Sequence, residues 1–176
     1  MIGCELVWGK TAGLIVETEA YTEFGDQASH AFFRKGTRTF IETKAPGTLY
    51  VYLNYGVHWL LNFLVKGSAG NGFVLVRALE PTVGLHLMRK RRKIEPAQNL
   101  CSGPGKLTQA LGITGEIHGR DFFDLKTVML LPARRPVTVE IDRRIGITRS
   151  TELDWRFLMV ESRFVSSPKK TRPRAN

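Results

Sequence analysis

With 176 residues, a formal charge of +10 and two cysteines, the chain can close one hydrophobic core without disulfide or metal support and is short for two domains. Cys4 and Cys101 form no Cys-x-x-Cys motif, His30, His58, His86 and His118 have no ligand-like pairing, the first residues lack a signal-peptide pattern, and no apolar run reaches the about 20 residues that cross a bilayer. A secreted disulfide scaffold, a zinc site and a membrane span are not indicated, so the expectation is a soluble, cytoplasmic protein without cofactor, by default a monomer. Its excess of 26 Lys and Arg over 16 Asp and Glu suits an anionic partner, nucleic acid foremost.

Glu5 to Tyr21 reads as one or two strands broken near Gly9-Lys10-Thr11-Ala12-Gly13. A period of two puts Glu17, Glu19 and Tyr21 on one face, with Thr18 and Ala20 on the other. Neighbouring carboxylates on a sheet face repel unless a cation offsets them or one acid has chemical work. Thr22 to Gly47 is polar and predicts a long surface loop with short helical turns. Leu49 to Val65 predicts a β-hairpin turning at Asn54-Tyr55-Gly56, which sets Tyr55 at or beside its tip. Phe73 to Leu79 reads as a buried strand in which Arg77 requires a partner, ended by Glu80-Pro81.

Further on, Thr82 to Lys93 predicts a helix whose basic end, Arg89 to Lys93, complements the helix C-terminus and adds nonspecific affinity for phosphates. Ser102 is a candidate cap for a short helix over Leu107 to Leu111, with Gly112 as its stop. Strands return around Val137 to Ile141 and Arg156 to Val160. Residues 1–165 are expected to fold, and the Ser-, Pro-, Lys- and Arg-rich stretch 166–176 to form a disordered basic tail.

A large aromatic at a hairpin tip buries nothing unless it folds back or inserts into a partner, and in a basic protein the partner is a base stack. An enzyme that rotates a nucleotide out of a duplex also needs an aromatic pocket and a group that activates water. Tyr21, His30 and Tyr52 are candidates for the pocket, Glu19 for the base, and Arg77 for orienting Glu19 or the water. Each also has a plain reading: Arg77 as counter-ion of Glu17, His30 as a loop anchor, Asn62 as a satisfied strand amide. For Ser102 to Lys106, phosphate binding at a helix N-terminus and simple capping stand as equals.

Ile15-Val16-Glu17-Thr18-Glu19-Ala20-Tyr21, Ala28-Ser29-His30, Gly47-Thr48-Leu49-Tyr50-Val51-Tyr52, Tyr55-Gly56, Asn62, Val76-Arg77-Ala78-Leu79-Glu80-Pro81 and Ser102-Gly103-Pro104-Gly105-Lys106-Leu107 are separated motifs. In order and spacing they resemble the alkyladenine (3-methyladenine) DNA glycosylase family. The resemblance runs from about Gly3 to Asp121 and is loose from Phe122 onward. It implies a mixed α/β (α+β) domain around a curved, mostly antiparallel sheet, with a hairpin that inserts into DNA. By the same resemblance Glu19 is the base that activates water for attack on C1′, and Arg77 contacts that water. Tyr21, His30 and Tyr52 enclose the extruded base, Asn62 rejects the amino group of normal guanine, Tyr55 fills the gap in the helix, and Gly103, Gly105 and Lys106 are candidates for a phosphate contact. Glu17 becomes structural.

The implied activity is monofunctional hydrolysis of alkylated purines, 3-methyladenine and 7-methylguanine, from damaged double-stranded DNA, without metal or organic cofactor. Neutral lesions such as hypoxanthine and ethenoadenine need a proton from a group the sequence does not identify. The alternative is a non-catalytic nucleic-acid-binding protein of the same fold. The chain departs from the family in two places. The segment with a helix that precedes the Gly3-Cys4-Glu5-Leu6 strand is short here, which predicts exposed apolar surface, and Thr37-Arg38-Thr39-Phe40 replaces Thr-Pro-Arg-Asn.

Overall fold

The computed structural model describes residues 1–68, 70–160 and 162–167. Its elements in chain order are β1 (Glu5–Trp8), β2 (Thr11–Thr22), α1 (His30–Phe33), α2 (Lys35–Thr43), β3 (Leu49–Asn54), β4 (His58–Gly67), β5 (Gly70–Val83), α3 (Leu85–Arg92), α4 (Pro104–Leu111), β6 (Val128–Leu131), β7 (Val139–Asp142) and β8 (Arg156–Met159). The strands form one open eight-stranded sheet, β3-β4-β5-β2-β1-β6, with β8 against β2 and β7 against β8. Every strand pairing is antiparallel, so the expected mixed α/β class holds.

β2 is long enough to serve two partners in turn along one edge. Thr11–Leu14 pair with β1 and Glu17–Glu19 with β8, while β5 follows the other edge from Ala12 to Thr22. The register against β5 shifts on both sides of Glu17. Such bulges bend a strand and increase its twist, so the sheet turns where the two carboxylates sit.

Alternation divides β3, β4 and β5 into two faces. Leu49, Val51, Leu61, Phe63 and Val76 face the main core, which Met88 of α3 and Leu107 and Leu111 of α4 close. On the other face Tyr50, Leu64 and Phe73 pack with Ala31 of α1 and Ile41 of α2. The predicted hairpin, buried strand and C-terminal strands are all present within a few residues of their expected limits.

Four expectations are corrected. The supposed loop from Thr22 to Gly47 contains α2, because Thr37 and Ile41, four residues apart, bury one face of an otherwise polar helix. β5 continues through Pro81 to Val83, so the helix expected from Thr82 starts at Leu85; Pro81 lies beside a register shift, where its missing N–H is tolerated. Gly103, rather than Ser102, is the cap residue of α4, and it makes no side-chain cap bond. Ser166 and Ser167 are fastened to the fold, through Glu17 and Arg156 respectively. The remaining residues of the expected tail, 168–176, lie outside the described residues.

Candidate active site

The sheet face that carries Tyr50 also carries a cleft of about 340 Å³. Four neighbouring strands supply its wall at every second position: Tyr50, Tyr52 and Asn54 from β3, Leu60 and Asn62 from β4, Phe73, Leu75 and Arg77 from β5, and Tyr21 from β2. His30 at the start of α1, Pro104 at the start of α4 and the loop Ile145-Gly146-Ile147 complete it. The period of two therefore gathers Tyr21, Tyr52, Asn62 and Arg77 on one surface despite their separation in sequence.

Glu19 lies directly behind this wall and is fully buried. Three cleft-lining groups donate to its carboxylate: the Tyr21 hydroxyl to Oε2 at 2.9 Å, Arg77 Nη1 to Oε2 at 3.1 Å, and the Ile145 amide to Oε1 at 2.8 Å. Burial is the largest influence and raises the Glu19 pKa above its ordinary 4.5, against the pull of Arg77, Ile145 and Tyr21. A raised carboxylate beside a cleft is the profile of a proton acceptor.

Glu17 occupies the same face one pleat away but does not line the cleft. Its Oε1 accepts from Arg156 Nε at 2.7 Å and from the Ser166 hydroxyl at 2.9 Å, and its Oε2 accepts from the Ser166 amide. Arg77 Nε lies 3.2 Å from Glu17 Oε1 but off the N–H axis, an ion pair without a hydrogen bond. The predicted cation between the two carboxylates is thus Arg77, which serves both.

A second buried pair fixes the loop that bears Ile145. Arg144 grips Asp26 through two bonds, Nη1 to Oδ2 at 2.6 Å and Nη2 to Oδ1 at 2.8 Å, and also donates to the carbonyls of Ala20 and Ser150. Its guanidinium stands 4.6 Å from the centre of the Tyr21 ring. This one side chain therefore braces Tyr21 and, through the adjacent peptide, the Ile145 amide.

The aromatic wall is tied together as well. The His30 and Tyr52 rings lie 4.4 Å apart, and His30 Nδ1 is 3.0 Å from the Tyr50 hydroxyl, itself 3.2 Å from the Thr37 hydroxyl. Burial, assisted by Arg34, lowers the His30 pKa to about 4, so the ring is neutral at neutral pH. Burial likewise pushes Tyr52 up to about 12. Asn62 gives its amide to the Tyr50 carbonyl at 3.1 Å. Thr37-Arg38-Thr39-Phe40 is support for this wall: Arg38 holds the carbonyls of Ala31 and Phe32, and Phe40 packs edge-on against Tyr50.

Tyr55 does not fold back. It is 86 % exposed, and it and Gly56 both have positive φ, 50° and 70°, at the centre of the turn closed by the Val57 amide on the Asn54 carbonyl. Beside the hairpin, Gly105 fits closely, since a Cβ there would lie 2.8 Å from Cβ of His58, the residue paired with Asn54 at the foot of the turn. Gly103 is buried at the start of α4, and Lys106 is exposed.

Tyr21, His30, Tyr52, Tyr55, Asn62 and Arg77 thus line one cleft with Glu19 behind it, whereas of the stretch from Gly103 to Lys106 Pro104 lines it and Gly103, Gly105 and Lys106 do not. Tyr50, Arg144, Ile145 and Arg156 were missed as site residues. Arg156 carried a usable signal, since an arginine among Trp155, Phe157 and Leu158 demands a buried anion as Arg77 does; nothing local marks Ile145, which acts through its backbone.

A basic protein with an aromatic-walled cleft, a buried carboxylate behind it and an exposed aromatic beside it has the equipment of a base-excising hydrolase of nucleic acid. Residues 1–163 match the family model described as methylpurine-DNA glycosylase, well past the Asp121 limit of the motif resemblance. A protein of Nitrosospira multiformis named "Putative 3-methyladenine DNA glycosylase" is 42% identical over 168 residues, 96% of this chain and 86% of that protein. Proteins given the same name in Rhodopseudomonas palustris and Rhizobium etli are 44% and 45% identical, each over 96% of this chain and 81% of the relative. The chain belongs to the methylpurine-DNA glycosylase family, whose members are base-excision repair glycosylases for alkylated purines.

Proposed function

We propose that the chain extrudes an alkylated purine, 3-methyladenine or 7-methylguanine, from double-stranded DNA into the cleft and hydrolyses its N-glycosidic bond with Glu19 as general base. The supporting observation is the three-donor seat of Glu19. A carboxylate has about four acceptor sites; Tyr21, Arg77 and Ile145 take three, which leaves one, on Oε1, for a water. Glu19 accepts the water's proton as the oxygen bonds to C1′. The C1′–N bond breaks and its electron pair leaves with the base, giving an abasic site. A purine alkylated at N3 or N7 is cationic and departs neutral, so no general acid is required.

The wall suits a cation. Tyr21 and Tyr52 present π-faces, and cation–π attraction contributes up to about 2 kcal/mol when desolvated. His30, neutral down to about pH 4, adds no repulsion. Asn62 stands where an exocyclic amino group of guanine would press. Tyr55 wedges into the duplex in place of the extruded nucleotide, and Gly103, Gly105 and Lys106, on either side of the cleft-lining Pro104, contact the phosphate backbone. Hypoxanthine and ethenoadenine, neutral bases, are poorer substrates on this reading. The enzyme acts as a monomer on DNA in the cytoplasm or nucleoid; among the described residues no helix is long and apolar enough to cross a membrane.

Release of 3-methyladenine and 7-methylguanine from methylated duplex DNA tests the proposal. Wild type is expected to release both. Glu19→Gln is expected to lose activity by a factor on the order of 10² to 10⁴ while retaining lesion binding. Wild-type protein that binds lesion DNA and releases nothing would instead be the non-catalytic binder.

A further inference from the structure

Arg77 is a single guanidinium set between two fully buried carboxylates, with Nε 3.2 Å from Glu17 and Nη1 3.1 Å from Glu19. Its own side chain is 13 % exposed and lines the cleft. A cation on a long stem in the wall of a DNA-binding cleft is drawn towards the nearest phosphate unless something behind it holds on. Behind it lie Glu19, the group it serves, and Glu17, the second carboxylate within reach among the described residues. The Nε contact is off the N–H axis, so the hold is one of charge, which acts at any orientation and leaves the guanidinium plane free to settle on Glu19.

Glu17 is in turn immobilised from behind. Arg156 meets its Oε1 at 2.7 Å, the Ser166 hydroxyl meets the same oxygen at 2.9 Å, and the Ser166 amide meets Oε2. Arg156 is fixed by Asp142 at 3.4 Å and by the Ser167 carbonyl at 2.7 Å. None of Glu17, Arg156, Ser166 or Ser167 lines the cleft. A chain of contacts therefore runs from the 166–167 segment through Glu17 and Arg77 to Glu19, with no member before Arg77 able to touch substrate.

We infer that Glu17 and Ser166 are positioning residues for base excision: Glu17 anchors Arg77 by its charge so that Arg77 stays on Glu19, and Ser166 holds Glu17 for that purpose. The inference rests on the reading of Glu19 as the general base. The charged and titratable groups around Glu19 are Glu17 and Tyr21 on β2, Arg77 on β5, Arg156 across the pairing with β8, and the Arg144–Asp26 pair beside Ile145. Glu17 raises the proton affinity of Glu19 and Arg77 lowers it. Once the Glu17 charge is removed Arg77 is no longer held on Glu19, and because Arg77 is the larger of the two influences, Glu19 then holds its proton more tightly and is ionised over a narrower range of pH.

Single-turnover excision from a 7-methylguanine duplex, followed against pH, tests this with wild type, Glu17→Gln and Ser166→Ala. Glu17→Gln is expected to lower the plateau about 10-fold to 100-fold, as misplaced catalytic groups do, and to move the acid limb to higher pH, the sign of an Arg77 that has left Glu19. Ser166→Ala, which keeps the backbone bond, should move both in the same direction by less and remains informative if Glu17→Gln does not fold. A limb that stays at the wild-type pH or moves to lower pH in the folded variants shows that Arg77 remains on Glu19 without the anchor, and overturns the positioning role. A wild-type profile that survives Glu19→Gln overturns the reading of Glu19 itself, and this inference with it.

Discussion

The floor of the cleft and the tip of the hairpin treat their side chains in opposite ways. At the floor Glu19, Glu17, Asp26 and Arg156 are buried to within 1 % of full coverage, each held by charged or hydrogen-bonded neighbours. At the tip Tyr55 stands 86 % exposed in a left-handed backbone conformation that costs a non-glycine residue about 1 kcal/mol. The floor spends charge pairs to keep a carboxylate in a fixed seat. The tip accepts backbone strain to keep a ring out in solvent, where nothing in the protein rewards it. Precision belongs to the chemistry and reach belongs to the partner.

The contrast is broken most severely at its centre. Glu19→Gln should cost about 3 to 5 kcal/mol of barrier, from the rate loss already given. Asp26→Ala leaves Arg144 buried without its anion and should destabilise the fold by about 3 to 5 kcal/mol in a denaturant titration; a change under about 1 kcal/mol would mean that Arg144 finds another partner. Because burial raises Glu19, its proton is lost only above the ordinary 4.5, and excision should fall as pH drops through that higher value. The same shift has a thermodynamic sign: stability from protonated Glu19 is full below 4.5 and is lost as pH rises through the folded value. The melting temperature of Glu19→Gln relative to wild type should therefore increase with pH.

At the other region the effects are smaller. Tyr55→Ala should weaken binding to lesion duplex by about 10-fold, through loss of stacking worth on the order of 1 to 3 kcal/mol, without lowering the melting temperature. Tyr55→Gly relieves the left-handed strain, so the fold should be unchanged or a few tenths of a kcal/mol more stable. A clear loss of stability in either variant would show that the ring packs against its own protein in solution.

The strands of the wall were legible because their signals are local: alternation, an Asn54-Tyr55-Gly56 turn, and a lone Arg77 in an apolar run. Glu17, Glu19 and Tyr21 could be assigned a common face from period alone. Helix α2 was not legible, since only Thr37 and Ile41 of its nine residues are buried and its other positions read as loop. β6 also escaped notice, as Val128–Leu131 is four residues long and pairs with β1 alone. The seat of Glu19 depends on a backbone amide from Ile145, 126 positions away, and backbone donors leave no mark in sequence. Choosing Glu19 over Glu17 as the reactive acid needed the family resemblance; the structure adds that one touches three cleft-lining groups and the other touches one, Arg77.

The division of β2 between two partners also orders the molecule in time. Its first half pairs with β1, a few residues upstream, and can form as soon as the first hairpin leaves the ribosome. Along the same edge its second half, which carries Glu17 and Glu19, pairs with β8 and reaches Ser166, contacts separated from it by as many as 149 positions. Contacts of such long range are slow to close. The hairpin and its exposed tyrosine rest on neighbours in sequence, whereas the seat of the two carboxylates is complete only once the far end of the chain has come home.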